Sequence, residues 1–176
     1  IDEPVGTDAI SLLGLGDVAC EVNVTPDRGY ALSMRGIARE YHHATGAAFR
    51  DPALAITPGE GSGFPVVIND ESPVRGVVGC EVFITRAVRG IDPTKPTPAW
   101  MVSRLSLAGM RSISLPVDIT NYVMLELGQP LHAYDLDRLS GGITVRRARS
   151  GEKLTTLDGV ERGLFPEDLL ITDDSG

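Results

Sequence analysis

The architecture of the chain follows most directly from residues 109–135, GMRSISLPVDITNYVMLELGQPLHAYD. The apolar positions between Val117 and Leu127 predict a helix, which Gly128 ends in a left-handed conformation and which Pro130 cannot continue. Polar side chains surround this helix in larger number than a buried helix needs. The stretch therefore predicts a helix bordered by loops whose side chains are able to order a ligand.

The polar side chains that could contact a ligand here are those of Arg111, Asn121, Gln129 and His132. Arginine offers a planar donor fork to a phosphate or a carboxylate, and His132 is a titratable group on a loop. In a simpler alternative, Arg111 pairs with Asp118 and His132 caps a turn. Considered alone, these residues favour the alternative.

Two further helices are predicted. The first follows the five residues 25–29, Thr-Pro-Asp-Arg-Gly, and ends at Gly46. Its apolar stripe, spaced i, i+3, i+4, i+7, consists of Met34, Ile37, Ala38 and Tyr41. The second begins at Thr97-Pro98 and ends at Gly109. Its apolar positions are Trp100, Met101, Leu105 and Ala108.

Strands are predicted where apolar residues alternate with polar ones or are β-branched. The predicted strands cover residues 18–24, 66–68, 77–84, 143–145 and 153–157, and Asp158-Gly159 indicates a hairpin turn with a returning strand. The predicted β tail extends from Ile143 to Ile171, where a strand runs into a turn. The expected fold class is α/β (α+β), a mixed sheet with packed helices preceded by a small α/β segment. The order of the strands in the sheet does not follow from the sequence.

The composition divides the chain into segments of different character. Residues 47–65 are rich in proline and glycine and lack an apolar period, which is typical of a linker. We therefore expect one domain over residues 1–46, the linker over 47–65, and a second domain over 66–176. Because the chain begins with Ile1 and ends in a strand and turn, we expect it to be a piece of a longer protein.

The charge and the cysteines exclude several classes of protein. A formal net charge of −8 over 176 residues argues against a protein that coats nucleic acid with its whole surface, so any such contact is expected to be local. The absence of a long apolar run and of a basic leader favours the cytoplasm. Cys20 and Cys80 are isolated, and we expect them to be small buried hydrophobic residues without chemistry.

Other motifs support no site. Leu12 to Gly16 lacks the third glycine of a phosphate loop and is expected to be a turn. His42-His43 point in different directions on a helix and predict a solvated helix end, not a metal site. The acidic cluster of Glu167, Asp168, Asp173 and Asp174 lacks the spacing of a calcium loop and is expected to be surface charge.

Several long runs resemble one known family. Residues 109–135, together with 23–28, 32–40, 141–143 and 157–159, closely resemble the β subunits of bacterial phenylalanyl-tRNA synthetases, and the resemblance covers essentially the whole chain. It implies that residues 1–46 close an N-terminal domain. It also implies that the chain from about Phe64 onward is the C-terminally incomplete middle domain, which hydrolyses tyrosine wrongly attached to phenylalanine tRNA.

The resemblance also implies roles for individual residues. Arg111 would hold phosphate or ribose at the 3′ terminus of the tRNA, and His132 would order the substrate or a water molecule. Asn121 and Gln129 are further substrate-binding candidates because they are among the polar residues around the predicted helix, not because of the resemblance. The family's editing pocket also uses a Glu and a Thr from segments past Gly176. We therefore expect only one wall of that pocket here, with no certain catalytic residue.

The implied partners are an α subunit, in a heterotetramer of two α and two β chains, and tRNA(Phe). ATP and Mg²⁺ would serve the complete enzyme, with no cofactor or metal site in this stretch and no membrane contact. Two other hypotheses stay open. The chain could be a scaffold without chemistry that organises the subunit interface through the stripe from Met34 to Tyr41 or docks tRNA, or it could be a free-standing editing protein, which the N-terminal segment argues against.

Overall fold

The computed structural model describes residues 3–57, 59, 63–71 and 73–176. The chain divides into two compact units, each built from two separate segments. Ile1–Pro58 and Ile91–Ala133 form the first, which we call the helical unit, and Gly59–Gly90 and Tyr134–Gly176 form the second, which we call the sheet unit. The domain division at residues 47–65 that the sequence suggests stays a prediction.

The helical unit contains the short helix α1 (Ala9–Leu12), α2 (Met34–Thr45), α3 (Ala99–Leu107) and α4 (Leu115–Leu127). A 3₁₀ segment, Pro26–Ala31, precedes α2, and another, Pro52–Ala55, follows it. Helix α4 packs against both α2 and α3. The buried apolar side chains of this unit are those of Ala31, Met101 and Leu105.

Capping residues fix the ends of the two longest helices. The Ser33 hydroxyl accepts a hydrogen bond of 3.1 Å from the Gly36 amide at the start of α2, which relieves one of the unpaired amides of the first turn. Gly46 and Gly128 end α2 and α4 with φ of +74° and +81°. Glycine adopts this left-handed conformation without the steric cost of a Cβ atom, so the predicted helix ends are confirmed.

The sheet unit contains β1 (Val66–Asn69), β2 (Ile143–Arg147) and β5 (Leu169–Thr172) in the order β1-β2-β5. Strand β2 runs parallel to β1, with Val66 opposite Ile143, and antiparallel to β5, with Val145 opposite Ile171. Strands β3 (Lys153–Thr155) and β4 (Glu161–Gly163) form the predicted hairpin. Ile143, Val145 and Ala148 form the buried apolar centre. The α+β fold class is thereby confirmed.

Two predicted strands are wrong. Residues 18–24 and 77–84 form no ladder with another strand in the described part of the chain, apart from a single bridge between Val74 and Val77. Most of their apolar side chains are exposed, with Val82 at 72% and Ile84 at 84%. Alternation shows that a segment is able to form a strand, but a strand forms only against a partner ladder.

One expectation about burial is also wrong. Cys20 is exposed and Cys80 is half-buried, so neither is the buried hydrophobic residue that the sequence predicts. The stripe of α2, for which the sequence predicts no covering partner, is exposed at both ends, with the Met34 side chain at 68% and the Tyr41 side chain at 62%. The helix and its stripe follow from periodicity, but periodicity does not say what covers the stripe.

Candidate functional site

The loop between α3 and α4 carries Arg111, the leading candidate from the sequence. Gly109, with φ of +79°, turns the chain away from α3, and the Met110 amide donates a hydrogen bond of 2.8 Å to the Leu105 carbonyl. Residues 110–114 then lead into α4 without regular structure. The start of this loop is therefore anchored on α3.

The end of the loop is anchored on Asp118, a fully buried residue in the first turn of α4. Asp118 Oδ1 accepts a hydrogen bond of 2.9 Å from the Ile113 amide. Asp118 Oδ2 accepts one of 2.6 Å from the Ser112 hydroxyl and another from the Thr97 hydroxyl. One carboxylate thus joins the segment before α3, the loop and α4.

The hydrogen bonds decide the charge state of Asp118. Burial raises the pKa of its carboxyl group, but hydrogen bonds from Ser112, Thr97 and the Ile113 amide outweigh burial and hold the pKa below its usual value. The group is therefore an anion at neutral pH. Its negative charge is shared among three donors.

The predicted alternative in which Arg111 pairs with Asp118 is wrong. The Asp118 oxygens are taken by Ser112, Ile113 and Thr97, and the Arg111 side chain is exposed. Within the described part of the chain, the Arg111 guanidinium forms no hydrogen bond or ion pair. Its donors are available to an anionic ligand.

The other three candidates lie on α4 or just after it. Asn121 is half-buried on α4, while Gln129 and His132 are exposed beyond its end. The Gln129 amide donates a hydrogen bond of 3.2 Å to the Pro130 carbonyl. Arg111 precedes α4 and His132 follows it, and a helix of 13 residues is about 20 Å long. Their convergence on one pocket stays a prediction.

Two concave surfaces of the helical unit are lined by other residues. A cavity of about 650 Å³, mostly apolar, lies between residues 12–15 and α3. A more polar one of about 480 Å³ includes Arg28, Tyr30, Glu40 and His43. There the Tyr30 hydroxyl and Arg28 donate hydrogen bonds to Glu40, and the Tyr30 bond is the main cause of a lowered pKa of the Glu40 carboxyl group.

Sequence reasoning missed the part that Thr97 and Ser112 play. A local signal existed only for Ser112, a hydroxyl residue six positions before an aspartate in the first turn of a predicted helix. Thr97 lies 21 positions before Asp118, ahead of α3, and no local pattern indicates it. No group of three His, Cys, Asp or Glu side chains suited to a metal ion occurs among the residues that the structure describes. None of the described helices is long and apolar enough to cross a membrane.

Comparisons with known proteins agree on one family. Residues 79–176 match the model of the B3/4 domain. The chain is 69% identical, over its whole length, to the phenylalanine–tRNA ligase beta subunit of Leifsonia xyli, of which it covers 21%. Identity is 57% to that of Bifidobacterium longum and 59% to that of Streptomyces avermitilis, over 96% and 98% of this chain and 20% of each relative. The chain thus spans about a fifth of the length of these relatives.

Proposed function

The chain belongs to the family of phenylalanine–tRNA ligase beta subunits that carry a B3/4 domain, and from this premise we propose that it forms part of an enzyme that attaches phenylalanine to tRNA(Phe) with ATP. The observation that carries the proposal is the 69% identity over the whole chain. The proposed partners are an α subunit, in a heterotetramer of two α and two β chains, and tRNA(Phe). The proposed compartment is the cytoplasm.

We further propose that residues 66–176 contribute to a site that hydrolyses mischarged Tyr-tRNA(Phe). A pocket for phenylalanine is apolar and rejects tyrosine only weakly, so a second site that accepts the hydroxyl raises accuracy. In this reaction water attacks the ester carbonyl carbon, and the bond to the ribose oxygen breaks. A proton of the water passes to the leaving ribose oxygen, which becomes a hydroxyl, and the water oxygen remains in the carboxyl group of free tyrosine.

Within this site, Arg111 holds phosphate or ribose of the charged tRNA end, and His132 orders the substrate or the attacking water. The exposed guanidinium of Arg111 supports its assignment, because a cation without a partner in the described part of the chain is able to bind an anion bidentately. Asn121 and Gln129 are the further substrate-binding residues. The net charge of −8 confines phosphate contact to such local sites, while other parts of the enzyme bind the tRNA body.

ATP and Mg²⁺ belong to the aminoacylation step of the complete enzyme. We propose that no residue of this chain binds either of them. The isolated 176-residue chain is expected to have little hydrolytic activity, because the proposed site needs residues from other segments.

The test uses the complete enzyme with both subunits. Arg111→Ala and His132→Ala are each expected to slow deacylation of Tyr-tRNA(Phe) by roughly 10- to 100-fold, the range for a lost hydrogen bond to a charged group, and to leave charging with phenylalanine unchanged. Arg138→Ala and His43→Ala, which also remove exposed side chains, are the matched controls. Deacylation at the wild-type rate in both test variants would reject the assignment of these residues.

One observation favours the second candidate function, a scaffold that organises the subunit interface. Met34 and Tyr41, on the apolar stripe of α2, are exposed, although both ends of this helix are capped and the helix is well formed. A scaffold would tolerate loss of Arg111 and His132 and would lose the α subunit when the stripe is changed. Retention of the α subunit and the deacylation rate, measured on the same variants, separate the two functions.

A further inference from the structure

Asp118 is an unusual residue for the interior of the helical unit. It is 0% exposed, and with Leu105 and Val145 it is one of the largest fully buried side chains of the described residues. Burial of a carboxylate is costly unless its oxygens are hydrogen-bonded, and an apolar residue of similar size often serves packing equally well. The three hydrogen bonds that Asp118 accepts therefore point to a role other than packing.

The position of the donors identifies that role. Two of them, the Ser112 hydroxyl and the Ile113 amide, belong to the two residues that directly follow Arg111. On the other side, the Met110 amide is bonded to the Leu105 carbonyl of α3. The backbone of Arg111 is thus held immediately before and immediately after it, while its side chain is exposed.

We propose that Asp118 is a positioning residue, which fixes the loop of residues 109–114 so that the Arg111 guanidinium is held ready for an anionic group of the charged tRNA end. This inference rests on the proposed function. A loop that is ordered before binding loses less conformational entropy when the ligand binds, and a small misplacement of a positioning group slows a reaction strongly. Asp118 touches no substrate and acts only through Arg111.

Asp118→Asn is the main test variant, because it keeps the size of the side chain and removes the charge. An amide group offers one oxygen acceptor, so it cannot satisfy the Ile113 amide and both hydroxyl donors in the present geometry. Ser112→Ala is the second variant. It removes one donor without burying a new polar group, and it keeps the proposal testable where Asp118→Asn fails to fold.

The first measurement is hydrogen exchange of residues 110–114 in the complete enzyme. Faster exchange in both variants supports fixation of the loop by Asp118, and unchanged exchange overturns it. Met101→Ala is the matched control, because it weakens the same core at a buried residue that forms none of the hydrogen bonds that hold the loop. If hydrogen exchange of residues 110–114 is accelerated as much in this control as in the two test variants, a specific role for Asp118 is overturned.

The second measurement is the deacylation of Tyr-tRNA(Phe), with kcat and KM determined separately. Asp118→Asn is expected to slow deacylation roughly 10- to 100-fold when Arg111 is present, and by less than about twofold in the Arg111→Ala background, because the two residues act as one unit. If Asp118→Asn and Arg111→Ala slow deacylation independently, so that their fold-changes multiply in the double variant, the proposal is overturned. If Arg111→Ala alone changes nothing, the proposed function of Arg111 fails, and the exchange data still decide whether Asp118 fixes the loop.

Discussion

Arg147 and Asp70, 77 positions apart in the sequence, form a two-pronged ion pair with N···O distances of 2.6 and 2.7 Å. Arg147 is the last residue of β2, and Asp70 directly follows β1. Both side chains are nearly buried, and Asp70 also accepts a hydrogen bond of 2.7 Å from the Gly79 amide. The hydrogen bonds from Arg147 to Asp70 raise the pKa of the guanidinium. The pair therefore joins the two parallel strands and a loop of the sheet unit.

Asp70→Asn is expected to lower the stability of the sheet unit markedly. The substitution leaves a nearly buried guanidinium with a neutral partner, and an uncompensated buried charge is strongly destabilising. Thermal unfolding of the full chain measures the effect. Lys153→Gln, which breaks an ion pair whose two side chains are about 60% exposed, is the control and should shift the midpoint little. Equal shifts of the unfolding midpoint in Asp70→Asn and Lys153→Gln would contradict the prediction.

Glu152 is expected to make stability depend on pH in acid. Hydrogen bonds from Arg146, then from the Arg149 amide, lower the pKa of its carboxyl group from 4.5 to about 2. The pKa of Glu152 in the folded state lies below its value in the unfolded state. The ionised carboxylate therefore stabilises the folded state fully at neutral pH, and this stabilisation is lost as pH falls from about 4.5 towards 2. Glu152→Gln should therefore be less stable than the wild type at pH 7, with the difference shrinking towards pH 2.

Urea unfolding at a series of pH values checks this prediction. Glu161→Gln, which removes a carboxylate from an exposed ion pair, serves as the control. The prediction fails if the difference between Glu152→Gln and the wild type stays constant from pH 7 to pH 2.

The sequence predicted those elements that are specified by local signals. Helices α3 and α4, strands β1 and β2 and the β3–β4 hairpin carry their own caps, periodicity or turn residues. Residues 18–24 and 77–84 show strand alternation as well, yet they form no ladder in the described part of the chain. Pairing depends on residues far away in sequence, so alternation alone cannot predict it.

The candidate site shows the same division between local and distant information. The exposed positions of Arg111, Gln129 and His132 follow from their places in loops next to a predicted helix. The partners of Asp118 do not, because an arginine and several hydroxyl groups lie at similar distances in the sequence. Only the folded loop shows that Ser112, Ile113 and Thr97 bind the carboxylate and that Arg111 does not.

The exposed stripe of α2 predicts the outcome of a binding experiment if the scaffold function is correct. Met34→Ser combined with Tyr41→Ser should weaken retention of the α subunit by at least about tenfold, because each large apolar side chain buried at an interface contributes about 1.5–3 kcal/mol. Pulldown of the α subunit by the complete β subunit measures the effect. His43→Ser, on the same helix and also exposed, is the control. Unchanged retention in the double variant would exclude the stripe from the interface.

Gly36→Ala should destabilise the helical unit, although alanine is the better helix former by about 1 kcal/mol. A Cβ atom at position 36 would lie 1.9 Å from the Tyr30 carbonyl oxygen and 2.7 Å from the Ala31 Cα atom. Both are backbone atoms, so α2 must move away from the preceding 3₁₀ segment, and overpacking of this kind costs about 1–3 kcal/mol. The free-energy cost of the clash therefore exceeds the gain from the higher helix propensity of alanine.

Gly29→Ala is the matched control for this prediction, because no atom lies within 4 Å of a Cβ placed there. Its free energy of unfolding should stay close to that of the wild type, or rise slightly because alanine restricts the unfolded chain. Denaturant unfolding of the full chain compares the two variants. A Gly36→Ala protein as stable as Gly29→Ala would mean that α2 does not pack this closely on the Tyr30 carbonyl.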